Sequence, residues 1–273
     1  MKVLVTGATG FIGTHLINNL LKSNIEVIAT SSNINNAKSK NWYDKVIYIE
    51  YNINNVTENN LFNYFQKPDI IIHLSWSGLP DYGNISHIEN NLWSNYYFLK
   101  NLIQNGAKKI TVTGTCFEYG MVNGEIPAYN QPNPNNSYSI AKDSLRKFLL
   151  LLQNDHQYEL KWLRIFYLYG ENQNPQSLFS QLNVAIENNL EYFNMSLGDQ
   201  IRDFLSIETA VDNIIKYSLY KNGTVTANIC SGKPISVRTF VENIIREKKS
   251  KIKLNLGYYQ YSNFEPFAFW GKV

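Results

Sequence analysis

Residues 3–13 read V-L-V-T-G-A-T-G-F-I-G, an apolar run that meets three glycines, Gly7, Gly10 and Gly13, spaced three apart. Val3 to Val5 predicts a short buried strand, and the apolar periodicity from Phe11 to Leu21 predicts a helix directly after it. Glycine suits the turn between them, because it accepts positive φ and lets backbone approach a diphosphate closely. The following helix offers free N–H groups and the positive end of its dipole. Directly after the first strand of a βαβ pattern, such a loop is a dinucleotide-binding signal.

Outward from the loop, the same rhythm continues. E-V-I-A-T-S, K-V-I-Y-I-E-Y, D-I-I-I-H-L-S-W, K-K-I-T-V-T-G and L-K-W-L-R-I-F-Y-L-Y are short, continuous and rich in β-branched residues. Strands buried on both faces look like this. Helical stretches lie between most of them, for example Asn59 to Phe65 and Glu89 to Gln104. The class is α/β, a Rossmann-type doubly wound parallel sheet. After Gly170 a polar loop, E-N-Q-N-P-Q, opens a less regular region. The expected division is a dinucleotide-binding domain over 1–169, to which about 207–232 return, and a smaller C-terminal substrate-binding lobe over the rest of 170–273. No internal repeat is visible.

Composition narrows the function classes. A chain of 273 residues with 44% hydrophobic and 14% aromatic content can bury a sizeable core. A formal charge of +3 is too mild to argue for nucleic acid, and a small anionic ligand suits it as well. The basic cluster from Arg246 to Lys253 reads as a solvated helix end. Cys116 and Cys230 make neither a metal spacing nor a disulfide framework, which predicts a reducing, cytoplasmic setting. His15, His73, His87 and His156 show no metal spacing, and no G-x-S-x-G nucleophile elbow occurs. M-K-V-L-V-T-G enters a strand at once, so no signal peptide is expected, and no apolar run is long enough to span a membrane.

The G-x-x-G-x-x-G spacing resembles the short-chain dehydrogenase/reductase superfamily, in particular its extended branch of nucleotide-sugar epimerases, dehydratases and reductases. The likeness runs from Lys2 to about Gly232. H-L-S-W at His73–Trp76 resembles the family's H-L-A-A, and E-N-N-L-W at Glu89–Trp93 the helix with a structural asparagine, here Asn91. V-T-G-T-C-F-E-Y-G at Val112–Gly120 resembles the segment with the catalytic Ser or Thr, and L-R-I-F-Y-L-Y-G at Leu163–Gly170 resembles L-R-x-F-N-x-Y-G. The resemblance implies cofactor contacts from Gly7, Thr9, Gly10, Phe11, Ile12 and Gly13 in the loop. It adds Asn52, Ile53, Leu74, Ser75, Trp76, Asn91, Thr113, Phe166 and Leu168 further along, with Asn91 holding a water or backbone group behind Lys142.

No carboxylate lies between Ala29 and Lys38 to bind the ribose of NAD. Ser31, Ser32, Asn33 and Lys38 would instead suit a 2′-phosphate, so NADPH is expected ahead of NAD.

Three Tyr-x-x-x-Lys pairs occur, Tyr96 with Lys100, Tyr138 with Lys142, and Tyr217 with Lys221. That spacing stacks two side chains on one helix face, so spacing alone does not choose. Only Tyr138 follows strand five and opens a helix beside the ends of strands four and five, where the ligand crevice of such a sheet lies. A free tyrosine has a pKa of about 10, and an ammonium one turn away favours its phenolate. The resemblance implies that Tyr138 is the acid or base, that Lys142 tunes it and holds the nicotinamide ribose, and that Thr115 positions the sugar oxygen.

The family's 4,6-dehydratases carry Asp-Glu after the catalytic Thr, whereas this chain has Cys116 and Phe117, which excludes that elimination. Cys116 reads as packing. The implied reaction is 4-ketoreduction of a nucleotide-linked 4-keto-6-deoxy sugar. A 4-epimerase with bound NAD is the alternative, and a non-catalytic NADP-binding regulator a remote one. Substrate contacts are expected from Trp76, Thr115, Cys116, Phe117, Tyr138 and Tyr167. On the second lobe they are expected from Ser177 and Leu178, from Arg202 on the diphosphate, and from Arg238. The closing F-E-P-F-A-F-W-G-K resembles the C-terminus of short nucleotide-sugar reductases, or is a tail packed on the second lobe. A homodimer through the strand-four and strand-five helices is implied, and no metal, nucleic-acid or membrane partner.

Overall fold

A computed structural model describes residues 1–55, 57–261 and 265–273. Seven parallel strands form the central sheet: β1 (Lys2–Thr6), β2 (Glu26–Ser31), β3 (Ile47–Glu50), β4 (Ile70–His73), β5 (Lys109–Thr115), β6 (Glu159–Ile165) and β7 (Val225–Ile229). Their order across the sheet is β7-β6-β5-β4-β1-β2-β3. The chain winds outward from β1 to β3, then crosses to β4 and winds the other way. The reversal between β1 and β4 opens a crevice at the carboxyl ends of the strands.

Alternation along each strand feeds two cores. Val3 and Val5 of β1, with Ile70 and Ile72 of β4, face helices α1 (Phe11–Lys22) and, later in the chain, Ile207–Ile215. Leu4 and Ile71 point the other way, onto α2 (Trp93–Gln104) and α3 (Ser137–Leu152). Burial on both faces is why these strands read as unbroken apolar runs. A π-helical turn, His87–Leu92, leads into α2. Asn136 caps α3 by accepting from the Ser139 N–H at 2.9 Å, so α3 begins one residue before Tyr138.

Beyond β6 the strands Tyr167–Tyr169, Ile201–Ser206 and Pro234–Ser236 form a small sheet. Helices α4 (Leu178–Glu187), α5 (Ile207–Ile215) and α6 (Val237–Glu247) follow in this part of the chain. A separate core of Leu182, Phe193, Phe240, Val241 and Ile244 lies here, with Phe204 stacked on Phe240 at 3.8 Å.

Phe264, first residue of the closing segment, lies outside the described residues. The rest of that segment does not simply cover the second lobe. Phe269–Gly271 pairs in parallel with Gly124–Ile126, and Phe269 is buried with Cys116, Tyr119, Phe166 and Cys230. The tail thereby runs along the rim of the crevice.

Candidate active site

The glycine loop shapes the cofactor side. Gly7 has φ +64, and a Cβ there would stand 2.9 Å from the Ser75 nitrogen. A Cβ on Gly13 would lie 2.3 Å from the Gly7 oxygen, so α1 approaches the loop this closely only without one. Gly10 caps α1 without a side-chain hydrogen bond, which leaves first-turn N–H groups for an anionic ligand. A 270 Å³ cavity opens above, lined by Gly7, Thr9 and Gly10, by Ser31 and Ser32, by Asn52 and Ile53, and by Leu74, Ser75, Trp76 and Asn91. A tight glycine cradle and uncapped helix N-terminus, beside a groove with Ser31, Ser32, Asn52 and Ser75 in its walls, fit a dinucleotide. Thr6, Tyr51, Ser77 and Asn95 also line this cavity and were not anticipated. The Thr6 hydroxyl accepts from the Leu74 N–H at 3.2 Å and donates to His73 Nδ1 at 2.9 Å. His73 Nε2 donates to Asn95 Oδ1 at 2.6 Å. Burial pushes the His73 pKa down to about 3, so this imidazole is a neutral brace.

Three expected cofactor residues are placed differently. Phe11 packs edge-to-face on His15, ring centroids 5.6 Å apart. Asn33 spends its side chain capping the short helix Ile34–Lys38, at 2.9 Å from the Asn35 N–H. Lys38 is exposed on the last turn of that helix. Asn91 lines the cavity, and its amide donates to the Ser77 carbonyl at 2.9 Å, which pins the loop after β4. The fold also brings a carboxylate that residues 29–38 lack. Glu50, in register with Ser31 across β2 and β3, accepts from the Ile34 N–H at 2.8 Å.

A second cavity of 280 Å³ holds Thr115, Tyr138 and Lys142, with Ile12, Thr113, Cys116, Phe117, Phe166, Tyr167 and Leu168 in its walls. Trp76 lines both cavities and stands between them. Thr115 ends β5, and its hydroxyl accepts from the Phe117 N–H at 3.3 Å. Tyr138 is fixed by its own N–H, which donates to the Tyr82 carbonyl at 3.0 Å. Lys142 donates to the Thr113 carbonyl at 2.9 Å. Its Nζ lies 4.1 Å from the Trp76 ring centroid and 5.9 Å from that of Tyr138.

These electrostatics correct one expectation. Burial, joined by the neighbouring acidic groups Tyr82, Glu118 and Cys116, raises the Tyr138 pKa well above the ordinary tyrosine value, while Thr115 lowers it by a smaller amount. Tyr138 is therefore held as a neutral phenol rather than a phenolate in the resting site. Burial brings Lys142 down to about 7, partly offset by Glu118. The Cys116 thiol is likewise pushed up by burial, which fits packing rather than a proton-transfer role.

Arg202 is the clearest departure on the substrate side. Only 2% exposed, it donates through Nη2 to Glu265 Oε2 at 2.8 Å and through Nη1 to the Phe267 carbonyl at 3.0 Å. A guanidinium held this way does not present itself to a diphosphate. Glu265 also accepts from the Tyr167 hydroxyl at 3.0 Å. With Tyr82, Phe117, Asn136 and Ile140 it lines an outer cavity of 620 Å³. Ser177 caps α4, Leu178 packs into the second-lobe core, and Arg238 pairs with Glu242 at 2.8 Å; none of the three lines these cavities. The Tyr96 and Tyr217 pairs stand apart from the cavities, Tyr96 against Trp93 and Phe148, Tyr217 against the first core. Among the described residues, no group of three His, Cys, Asp or Glu is placed to hold a metal, and no helix is long and apolar enough to cross a membrane.

The model of the NAD dependent epimerase/dehydratase family matches residues 3–229. A dTDP-6-deoxy-L-talose 4-dehydrogenase (NAD(+)) of Aggregatibacter actinomycetemcomitans is 30% identical over 272 residues, covering 99% of both chains. A dTDP-4-dehydro-6-deoxyglucose reductase of Escherichia coli is 26% identical, over 89% of this chain and 80% of its own. Among solved structures, a UDP-glucuronic acid 4-epimerase from Bacillus cereus, in complex with UDP-glucuronic acid and NAD, superposes with a TM-score of 0.83. It is 23% identical, with coverage of 100% of this chain and 90% of that one.

Proposed function

The chain belongs to the NAD dependent epimerase/dehydratase family, and we propose that it reduces the C4 keto group of a nucleotide-linked 4-keto-6-deoxy sugar, dTDP-linked, using NADPH. At the coarser level it is an NAD(P)-dependent enzyme that modifies nucleotide sugars. One observation carries the finer reading. Tyr138 is a neutral phenol in the same cavity as Thr115 and Lys142, and ketone reduction needs a proton donor at that place.

The nicotinamide, when bound, supplies hydride to C4. Tyr138 gives its proton to the C4 oxygen, and Thr115 holds that oxygen by a second hydrogen bond. Lys142, as an ammonium, favours the charge that develops on the departing phenolate. Trp76 and Phe117 wall the cavity and exclude water from the transfer. The two curated relatives support this reading, since both act at position 4 of a dTDP-6-deoxy sugar by name. Ser31 and Ser32 favour NADPH, while Glu50 and the NAD(+) of the talose relative weigh toward NAD; the assay below compares the two.

Residues 1–169 with 207–232 are proposed to bind cofactor and the rest of 170–273 the nucleotide. The proposed setting is bacterial deoxysugar synthesis for surface polysaccharide, in the cytoplasm, with two buried free cysteines in support. The test is loss of reduced-nicotinamide absorbance when the protein meets dTDP-4-keto-6-deoxyglucose with NADPH or NADH. Stoichiometric loss with a single C4 epimer as product supports the reductase. Interconversion of unreduced nucleotide sugars without net cofactor change would establish the 4-epimerase instead.

A further inference from the structure

Glu118 has no part in the proton transfer described above, yet it is completely buried beside Thr115. A buried carboxylate is costly unless it is paired and hydrogen-bonded. Here Oε1 accepts from the Thr115 N–H at 2.9 Å and from Trp162 Nε1 at 3.0 Å. Oε2 accepts from Arg164 Nε at 2.7 Å, and Arg146 Nε lies 4.0 Å away. Donors from β5 and β6 thus converge on one side chain, with a guanidinium from α3 nearby. Gly114 leaves the space for it, since a Cβ there would stand 2.4 Å from Glu118 Oε1 and 2.3 Å from Trp162 Nε1.

The acceptor acts on a reacting group. Glu118 sits on the 3-10 turn Cys116–Tyr119, which Thr115 caps. The carboxylate holds the Thr115 backbone from behind while the Phe117 N–H holds its hydroxyl in front. We propose that Glu118 is a positioning residue of this active site: it fixes the end of β5 so that the Thr115 hydroxyl meets the substrate oxygen beside Tyr138. The proposal rests on the reductase reading for its substrate, but not for its physical test.

Its negative charge also reaches the catalytic helix, and it is the carboxylate that raises Lys142. The other titratable groups near Lys142 are His73 on β4, Tyr138 on α3 and Cys116 after β5, with Arg146 and Arg164 about Glu118.

The experiment uses full-length protein with ¹³C-labelled lysine and follows the Lys142 titration by NMR in wild type and Glu118→Gln. Removal of the charge is expected to move the Lys142 midpoint down by about half a pH unit or more. It is also expected to lower kcat about tenfold or more, with the KM for cofactor unchanged. A midpoint that stays put, or a folded variant with wild-type kcat, overturns the proposal. If Glu118→Gln does not fold, the double change Glu118→Leu with Arg164→Met removes both buried charges and the acceptor of the Thr115 N–H, and is read by kcat, where a wild-type value in folded protein overturns the proposal. Failure of the reductase reading is separable, because it appears as absent keto-sugar turnover in wild type while the Lys142 titration still decides the role of Glu118.

Discussion

Lys142 carries its charge over an indole ring, 2% exposed, with the Thr113 carbonyl as its hydrogen-bond acceptor. Burial lowers its pKa to about 7, against about 10.4 for a lysine in water. Since kcat/KM reports the free enzyme, it is expected to fall as pH rises through about 7, where the ammonium is lost. The stability consequence has the opposite sense. Between about pH 7 and 10.4 the unfolded chain binds the proton that the folded one has released, so this group's contribution to stability rises with pH, by at most about 1.4 kcal/mol per unit. Below pH 7 both states are charged and the burial cost is fully present. Lys142→Met should therefore stabilise the fold more at pH 6 than at pH 9 in urea melts, while abolishing turnover. Equal gains at the two pH values would refute the depressed pKa.

At the scale of elements, the β1–loop–α1 unit is local, and so was legible. Its strand, its turn and its helix start all lie within the first 13 residues, each specified by neighbours in sequence. The Tyr138–Lys142 pair was legible for the same reason, being one turn apart on α3. Contacts across long separations were not. Glu50 reaches the Ile34 N–H from the adjacent strand, and Glu118 finds Arg164 from 46 residues away. Arg202 looked like a free anion ligand because its partner, Glu265, enters from the tail 63 residues later. Strand β7 was noticed only as a returning region, since V-T-A-N-I is shorter and more polar than the runs before it. The loop makes its own prediction. Gly13→Ala forces a Cβ onto the Gly7 oxygen at 2.3 Å. NADPH and NADH binding by calorimetry should weaken about tenfold or more, with a lower Tm; unchanged binding would contradict the cradle.

For the whole molecule, the tail and an uncovered face decide the next experiments. The tail brings Glu265 to Arg202 and Phe269 to the Cys116 cluster, and Asp203 accepts from the Ser231, Gly232 and Gly271 N–H groups where these segments meet. Removal of residues 265–273 strips a buried guanidinium of its partner and empties the Phe269 site. The expected cost is about 3–5 kcal/mol in denaturant midpoints, whereas a change under about 1 kcal/mol would show the tail to be an ornament of the fold. On α2 and α3, Trp93, Tyr97 and Leu151 are exposed at 42%, 55% and 63% around Phe148. Paired copies of these helices would cover that patch. Light scattering at micromolar concentration should give the dimer mass, and Leu151→Asp the monomer mass; a monomeric wild type would contradict this assembly.

The measurement that bears most directly on the active site is the fate of hydride. Reduced nicotinamide carrying deuterium at its transferable position would be mixed with dTDP-4-keto-6-deoxyglucose and either wild-type protein or Tyr138→Phe, and the product examined by NMR. Deuterium at sugar C4 with wild type, and a rate lower by about 10²–10⁴ with Tyr138→Phe, is the predicted result. Product without deuterium at C4, or full activity in Tyr138→Phe, would contradict the assignment of this cavity to ketone reduction.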